Sequence, residues 1–404
     1  MSIEISPHLL LRKSALVFTI GISIALLFGA LTPQLPGSML ESGDLPGFYV
    51  AAEILQRSPH RLYDFELQRQ IENELWPHFN GHFLAFAYPP YTAVLLSPLA
   101  LLPPHDAQLI FILINAIALA WSFRILYLMH DTRPENFLAF ALILSCATPV
   151  AISLVGAQNS CLSLLAIVLT LRGIRPDANT LHQCMAGLGS ALLLYKPQFA
   201  IFPLLLIALL GSRPARSTAA IVVILLYILG TIPSGLDWPA KWITVATSFG
   251  NMNYQINAHQ MVSLQGLTYS LAHAAGMSET TTNSFQHIAQ FISLGVALAC
   301  CWTIVLVKKS PQRAIAQRKL EILLPLLIPI LAPQTLFYDL TLGIPAACLL
   351  WKGTSSKEAF GLLFSIALFS GVFLLRTPES VSLFGITALF LLSLYLWRVL
   401  RIQS

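Results

Sequence analysis

One acidic residue lies where its carboxylate could act as a base. Asp44 belongs to residues 41–53, which follow the first apolar segment directly, and it precedes the aromatic pair Phe48 and Tyr49. A carboxylate at a lipid–water boundary can accept a proton from a hydroxyl group. Because an Asp followed by Pro46 is also typical of a helix start, Asp44 could instead be an N-cap. The two interpretations are compatible, since a capping Asp is held rigidly.

Lys196 is a single cation in an apolar run, between Tyr195 and Pro197. A lysine at the centre of a bilayer costs at least ~2.5 kcal/mol, so it needs a partner or a polar cavity. It could extend to the membrane surface from a helix end, or it could be the counter-ion of a lipid phosphate. Pro197 leaves a backbone carbonyl without its helical donor, which favours a polar pocket at a broken helix.

Four further polar groups lie at predicted helix breaks or in polar loops. Each also has an ordinary structural interpretation: amides join neighbouring helices, an acid caps a helix, and a loop histidine is solvated. The groups are Gln158 with Asn159, Asp339, Tyr63 with Asp64, and His259 with Gln260.

The composition is that of a membrane protein. Of 404 residues, 56% are hydrophobic and 10% are charged, whereas a soluble domain has about 25% charged residues. The six cysteines lie in apolar runs without a C-x-x-C spacing, so we predict packing roles rather than disulfides or a zinc site. The sequence has no nucleotide-binding loop, dinucleotide fingerprint or metal-ligand spacing. We therefore predict no cofactor, no metal and no nucleic-acid partner.

Two polar regions are predicted to be external. Apolar residues 14–31, preceded by two cations, predict an uncleaved first span with a cytoplasmic N-terminus. In residues 34–87 the acids outnumber Lys and Arg, and residues 48–55 and 62–75 have the apolar spacing of helices that lie along the membrane surface. Residues 236–284 contain a single Lys and no Arg, so this region should be external as well.

The apolar segments predict an all-α polytopic membrane protein in a single domain, residues 1–404. We expect about 12 transmembrane helices, with both termini cytoplasmic. Besides residues 14–31, the apolar segments are 86–102, 107–129, 137–155, 159–171, 181–195, 197–210, 219–232, 285–307, 320–332, 340–351, 359–375 and 381–397.

This series contains one segment too many. The basic loop 211–216 should be cytoplasmic, which requires an odd number of crossings after the first external loop, yet six apolar segments lie between them. One break is therefore re-entrant rather than part of a crossing, either at residues 156–159 or at 196–198. Two arginines in residues 171–180 favour a cytoplasmic loop there, which would make residues 181–210 the hairpin.

Taken together, these motifs resemble glycosyltransferase family 87, also catalogued as the domain of unknown function 2029 family. The matching residues occur in the order of the family through nearly the whole chain. They are Ser42-Gly43-Asp44, Phe48-Tyr49, Ala51-Ala52, Leu62-Tyr63-Asp64, Phe86-Ala87-Tyr88-Pro89-Pro90, Gly156, Gln158-Asn159, Tyr195-Lys196-Pro197-Gln198 and Tyr338-Asp339-Leu340.

The resemblance implies a C-type glycosyltransferase fold in a bacterial cytoplasmic membrane, with the active site facing the exterior. It implies a hexosyltransferase that uses a polyprenyl-phosphate sugar donor and a glycan or glycolipid acceptor, with mannose the commonest sugar association. Asp44 falls on the acid assigned as base. The candidate substrate-binding residues are Lys196, Tyr49, Tyr88, Gln158, Asn159, His259, Gln260, Asp339 and Arg61.

The sequence departs from the family pattern in the second external region. Many relatives carry a Lys before Met-x-Ser, whereas this chain has His259 and Gln260 before Met261. A protonated histidine could substitute for that lysine in binding phosphate, and Lys196 or Arg61 could serve the same purpose.

Two other classes of protein compete with the enzyme interpretation. A lipid or sugar transporter, or a flippase, should have charges paired along a pathway and internal repeats, and the sequence shows no repeat. A structural or assembly protein would not need Asp44, Lys196 and Asp339 to converge.

Overall fold

The computed structural model describes most of the chain as helices. The described residues are 43–77, 83–129, 147–309, 313–350 and 382–400. Within these ranges the one extended pairing is an isolated antiparallel bridge between Met261 and Leu336. The predicted spans 14–31 and 359–375 and Cys146 lie outside the described residues, as does most of the predicted span 137–155.

Three predicted crossings coincide with helices long and apolar enough to span a membrane: Pro104–Met129, Arg213–Ser234 and Glu279–Val307. Large apolar side chains on the second and third of these, among them Ile224 and Phe291, are exposed. Hydrocarbon rather than water is the solvent that such surfaces fit. The chain is therefore a helical membrane protein. The other predicted crossings within the described ranges are shorter helices or do not meet this criterion.

The chain divides into two compact units. Of the described residues, the first unit comprises 43–77, 83–119 and 152–256, and the second comprises 120–129, 147–151, 257–309, 313–350 and 382–400. The helices in chain order are α1 Leu45–Arg57, α2 Phe65–Leu75, α3 Pro90–Leu96, α4 Pro104–Met129, α5 Thr148–Val155, α6 Ser160–Gly173, α7 Thr180–Leu192, α8 Pro197–Leu210, α9 Arg213–Ser234, α10 Trp238–Asn257, α11 Leu264–Ala274, α12 Glu279–Lys309, α13 Arg313–Leu331, α14 Ile344–Leu350 and α15 Leu383–Leu400. Short 3-10 turns join several of them, and the unit boundaries fall within α4, α5 and the last turn of α10.

The two helices predicted in the first external region are present as α1 and α2. Asp64 caps α2 by accepting a hydrogen bond from the Leu67 amide at 3.1 Å, which confirms its predicted capping role. The helix ends at Leu75, two residues before Pro77, because proline cannot continue a helix.

Both predicted helix breaks are present in the first unit. Helix α5 ends at Val155 and α6 begins at Ser160. Helix α7 passes through a 3-10 turn, Leu193–Tyr195, and α8 begins at Pro197 immediately after Lys196. Proline suits the first turn of a helix because N–H groups there have no acceptor within the helix, so its missing N–H group costs no hydrogen bond.

Helices α7 and α8 form the predicted hairpin. Ser212, two residues after the end of α8, donates its hydroxyl to Gln183, in the first turn of α7, at 2.7 Å. The start of α7 and the end of α8 therefore lie on the same side of this unit. With 13 and 14 residues, each helix is about 20 Å long and too short to cross about 30 Å of hydrocarbon. Helices α7 and α8 thus form a hairpin whose outer ends meet, and its re-entrant insertion into the membrane stays a prediction.

Glycines allow this hairpin to pack closely on its neighbours. A Cβ atom at Gly189 would lie 2.8 Å from the Ala166 carbonyl oxygen of α6, and one at Gly187 would lie 2.2 Å from the Ala215 carbonyl oxygen of α9. Small residues permit such backbone approach in membrane helix packing. Helix α7 is therefore held between α6 and α9.

In the second unit the Met261–Leu336 bridge joins two turns that are distant in the sequence. Val262 donates its backbone N–H to the Thr335 carbonyl at 2.9 Å, beside the bridge. The Ser382 hydroxyl donates to the Met261 carbonyl. Helix α15 begins directly after Ser382, so its start is attached to the bridge.

We predict that Gly187→Ala destabilises the full chain by about 1–3 kcal/mol, because its new methyl group overlaps the α9 backbone. Thermal unfolding in detergent measures the loss. Gly295→Ala in α12 is the matched control, since a Cβ there meets no atom within 4 Å. Equal unfolding temperatures for Gly187→Ala and wild type would contradict this packing.

Candidate active site

The side chain of Asp44 does not cap helix α1. Asp44 is the residue before the helix and has helical dihedrals, φ −73° and ψ −16°, and its side chain accepts no hydrogen bond from the helix end. Its backbone carbonyl accepts from the Phe48 amide at 3.3 Å, which is the first hydrogen bond of the helix. Asp44 therefore occupies the predicted N-cap position, but its side chain does not cap the helix and its carboxylate is available for other contacts.

The carboxylate of Asp44 is bonded by side chains distant in the sequence. The Asn159 amide donates to Oδ2 at 2.9 Å, and the Tyr88 hydroxyl donates to the same oxygen at 3.2 Å. The Gln158 amide satisfies its hydrogen bonding when its nitrogen faces the carboxylate, where it lies 2.7 Å from Oδ1 and 3.0 Å from Oδ2. These donors suit an ionised carboxylate, which only accepts hydrogen bonds.

The two amides reach Asp44 because the break between α5 and α6 is a tight turn. Ala157 is fully buried and has φ 46°, a left-handed conformation uncommon for a residue with a side chain. A Cβ atom on Gly43 would lie 1.3 Å from the Gly156 carbonyl oxygen. The backbone beside Asp44 therefore lies directly on this turn, and a side chain at position 43 would prevent the approach.

Two tyrosines fix Asn159 from both sides. The Asn159 amide donates to the Tyr88 hydroxyl at 3.1 Å, and the Tyr195 hydroxyl donates to the Asn159 backbone carbonyl at 3.0 Å. The Tyr88 and Tyr195 rings are stacked with centroids 6.3 Å apart. The Ser163 hydroxyl is bonded to Tyr195. Asn159 therefore presents its amide to Asp44 in a defined orientation.

Lys196 follows Tyr195 directly and lies at the break between α7 and α8. The residue is only 6% exposed, and its Nζ atom lies 5.1 Å from the centroid of the Phe199 ring, which gives a cation–π contact. A lysine extending to the membrane surface would have an exposed amine, so this interpretation of Lys196 is wrong. The structure instead places a buried cation one residue from the tyrosine that bonds Asn159.

An irregular segment, residues 83–89, delivers Tyr88 to the site, and α2 holds it. The Gln68 amide oxygen accepts from the Phe86 amide at 2.9 Å. The Glu72 carboxylate accepts from the Leu84 amide at 3.1 Å. Gln68 and Glu72 are each about 1% exposed. Helix α2 thereby fixes the backbone that leads to Tyr88.

The structure does not bring two of the candidates into these contacts. The Tyr49 hydroxyl donates to the Leu102 carbonyl at 2.7 Å. Arg61 is exposed and pairs with Asp64, with Nη2 and Oδ2 2.7 Å apart. Tyr49 is therefore used in packing α1 against residues that follow α3, and Arg61 in an ion pair beside the start of α2.

Three candidates belong to the second unit, where the Met261–Leu336 bridge joins the turns that carry them. Gln260 Nε2 lies 3.1 Å from His259 Nε2. Asp339 is buried, and its carboxylate accepts from the Leu336 amide at 3.4 Å. The capping interpretation of Asp339 is therefore supported, and its role in binding a substrate stays a prediction. Among all residues that the structure describes, no three His, Cys, Asp or Glu side chains come together as a metal site requires.

Sequence reasoning missed Gln68, Glu72 and Ser163. On α2, Gln68 and Glu72 share one face with Ile71 and Leu75 at the spacing of a buried stripe. Polar residues on such a face were the available signal for buried hydrogen bonds. Ser163 lies one helical turn after Asn159, and nothing in the sequence marked it.

The model of glycosyltransferase family 87 matches residues 86–329, which is more than half of the chain. The chain belongs to this family. It is therefore a membrane glycosyltransferase. No protein with curated annotation matches the chain, nor does any solved structure. The matched residues of the glycosyltransferase include Tyr88, Gln158, Asn159 and Lys196 and begin after Asp44.

We predict that Gly43→Ala lowers sugar transfer by at least ~100-fold, because its methyl group must displace Asp44 from Gln158 and Asn159. Initial rates of the purified glycosyltransferase measure the effect. Thermal unfolding shows whether the loss is local, with Gly295→Ala as the control for an added methyl group. Full activity of Gly43→Ala would show that the close approach at Gly156 is dispensable.

The buried carboxyl group of Glu72 should make the stability of the folded chain depend on pH. Burial raises its pKa from the ordinary value of 4.5 to about 7, although the Leu84 amide and Arg69 act in the opposite direction. The folded chain thus retains this proton at pH values where the unfolded chain has lost it, so stability falls as pH rises through this window. Glu72 lies on α2, outside the helices that are long and apolar enough to span a membrane.

Thermal unfolding of the full chain between about pH 5 and pH 8 tests this assignment. Glu72→Gln can still accept the Leu84 N–H but cannot ionise, so its unfolding temperature should exceed that of wild type toward pH 8. Glu74→Gln, on the exposed side of α2, should follow wild type. A wild-type unfolding temperature that rises across this range would contradict the assignment to Glu72.

Proposed function

We propose that the glycosyltransferase moves a sugar from a polyprenyl-phosphate donor to an acceptor hydroxyl, with Asp44 as the general base. The observation that supports this role most directly is the placement of Asp44. Its carboxylate leaves the helix end that it could have capped and meets Gln158 and Asn159, more than 110 residues away in the sequence. A carboxylate needed only for capping would have no reason to be bonded in this way.

In the proposed reaction the acceptor oxygen attacks the anomeric carbon of the donor sugar. Asp44 takes the proton of the acceptor hydroxyl as the new carbon–oxygen bond forms. The bond between the anomeric carbon and the phosphate oxygen breaks, and its electron pair leaves with polyprenyl phosphate. Attack opposite to the leaving group inverts the anomeric configuration.

Lys196 is the cation that we propose to stabilise the phosphate leaving group. It is buried beside Tyr195, and a preorganised charge is most effective where water is excluded. For His259, Gln260 and Asp339 a role in binding donor or acceptor stays a prediction. The exposed ion pair between Arg61 and Asp64 makes Arg61 a weaker candidate than Lys196.

The finer features of the protein belong to the same proposal. We propose a C-type glycosyltransferase fold of about 12 transmembrane helices in a single domain of residues 1–404. We propose the bacterial cytoplasmic membrane as its location, with Asp44 toward the periplasm or exterior, a glycan or glycolipid as acceptor, and mannose as the first sugar to test. Transport or lipid flipping gains no support from the family or from the described residues.

The decisive experiment is Asp44→Asn, which keeps the shape of the side chain and removes the base. Gln158 can turn its amide to accept from the new asparagine, so the variant should fold normally. We expect transfer to fall at least ~100-fold. The assay follows tritiated mannose from polyprenyl-phosphate mannose into a membrane glycolipid fraction, with glucose, galactose and arabinose donors run in parallel.

Asp64→Asn is the matched control for Asp44→Asn. It makes the same change in the same external region, and asparagine caps a helix as well as aspartate does. This control should keep wild-type turnover. Wild-type turnover by Asp44→Asn would remove Asp44 from the role of base, and retention of the donor's anomeric configuration in the product would overturn direct displacement.

A further inference from the structure

The backbone of residues 83–89 is held by side chains rather than by a neighbouring strand. Two backbone N–H groups of the segment donate to side chains of α2, Leu84 to Glu72 and Phe86 to Gln68. The Ala87 carbonyl accepts from the Trp242 indole N–H of α10 at 3.0 Å, and the Tyr88 carbonyl accepts from the Tyr63 hydroxyl at 2.9 Å. Side chains from both external regions therefore determine where this segment lies.

Burial of Phe86, which is 1% exposed, is one reason for these bonds. Backbone groups that are removed from water must find hydrogen-bond partners within the protein. The Gln68 amide serves both directions, because its oxygen accepts from the Phe86 N–H and its nitrogen donates to the Leu62 carbonyl at 2.7 Å. An apolar side chain of the same length could fill the space but could do neither.

Two of these anchors immediately precede Tyr88. Gln68 bonds the backbone two residues before it, and Trp242 bonds the backbone one residue before it. The Tyr88 hydroxyl is 3.2 Å from the Asp44 carboxylate, slightly longer than is usual for a hydrogen bond between oxygen atoms. A shift of the segment by a few tenths of an ångström would therefore weaken or break the contact.

We propose that Gln68 and Trp242 are positioning residues of the transfer reaction, which act through residues 83–89 on the contact between Tyr88 and Asp44. This inference rests on the proposed role of Asp44. It assigns a function in catalysis to the amphipathic helix α2 and to α10 of the second external region. Neither residue is proposed to touch the substrates, so their loss should lower kcat and leave KM nearly unchanged.

The first test measures kinetics of the full chain with polyprenyl-phosphate mannose. We expect Gln68→Met and Trp242→Phe to lower kcat by about 10- to 100-fold, with KM for the donor within about threefold of wild type. Gln70→Met is the matched control on the exposed face of α2. Trp238→Phe removes an equivalent indole bond of α10 that goes to Tyr227 instead. Both controls should keep the wild-type kcat.

A double-mutant cycle with Tyr88→Phe separates positioning from a general structural effect. If Gln68 acts through the Tyr88 hydroxyl, Gln68→Met should lower kcat by less than about threefold once that hydroxyl is absent. Independent, additive losses would overturn the proposal. A second cycle combines Trp242→Phe with Tyr88→Phe and tests the other anchor in the same way. Trp242→Phe changes the packing less, because it keeps an aromatic ring and removes one N–H donor.

A spectroscopic measurement makes the test independent of turnover. The Cζ resonance of Tyr88 in the ¹³C-labelled full chain, assigned by its loss in Tyr88→Phe, reports the hydrogen bond of the hydroxyl. It should move in Gln68→Met and Trp242→Phe but not in Gln70→Met. An unmoved resonance would overturn the positioning role even if Asp44 is the base. A moved resonance with a fully active Asp44→Asn would instead show that the proposed function has failed.

Discussion

The contact between Asp44 and the turn of residues 156–159 is the constraint on which the site depends. A carboxylate that is partly buried, as Asp44 is, loses hydration that hydrogen-bond donors must replace. Gln158, Asn159 and Tyr88 supply those donors. Meeting this requirement explains local features that would otherwise be unfavourable, namely the interrupted helix and the left-handed Ala157.

The broken helices of the first unit serve the same purpose. A continuous helix satisfies its own backbone and presents few polar groups, whereas each break creates a place where amides, hydroxyls or a cation can be buried together. One break supplies Gln158 and Asn159, and the other supplies Tyr195 and Lys196. The Tyr195 hydroxyl bonds the Asn159 carbonyl, so the two breaks support each other. The break between α7 and α8 therefore buries Lys196 directly beside the tyrosine that bonds Asn159.

Much of this arrangement was predictable where the signal is local. Pro197 and the polar residues after Val155 predicted the two helix breaks. The arginines of residues 171–180 favoured a hairpin over residues 181–210. Asp64 was predicted to cap a helix, and it caps α2. Asp44 shows the limit of local patterns. An Asp before Pro46 looks the same whether its side chain caps the helix or turns away, and only the partner at Asn159 decides between them. The same limit hid Gln68, whose partner is a backbone amide with no sequence signature.

The amide of Gln158 offers a physical reason why this environment suits a base rather than a permanently charged group. A base must be accommodated before and after it takes a proton. A glutamine amide carries two donors on nitrogen and an acceptor oxygen. With nitrogen toward Asp44 it stabilises the carboxylate, and turned over it can accept from the carboxylic acid. The exposed pair of Arg61 and Asp64 shows the contrast. A guanidinium can only donate, so it favours the ionised form alone and would oppose proton uptake, whereas the amide beside Asp44 can bond the carboxyl group both ionised and protonated.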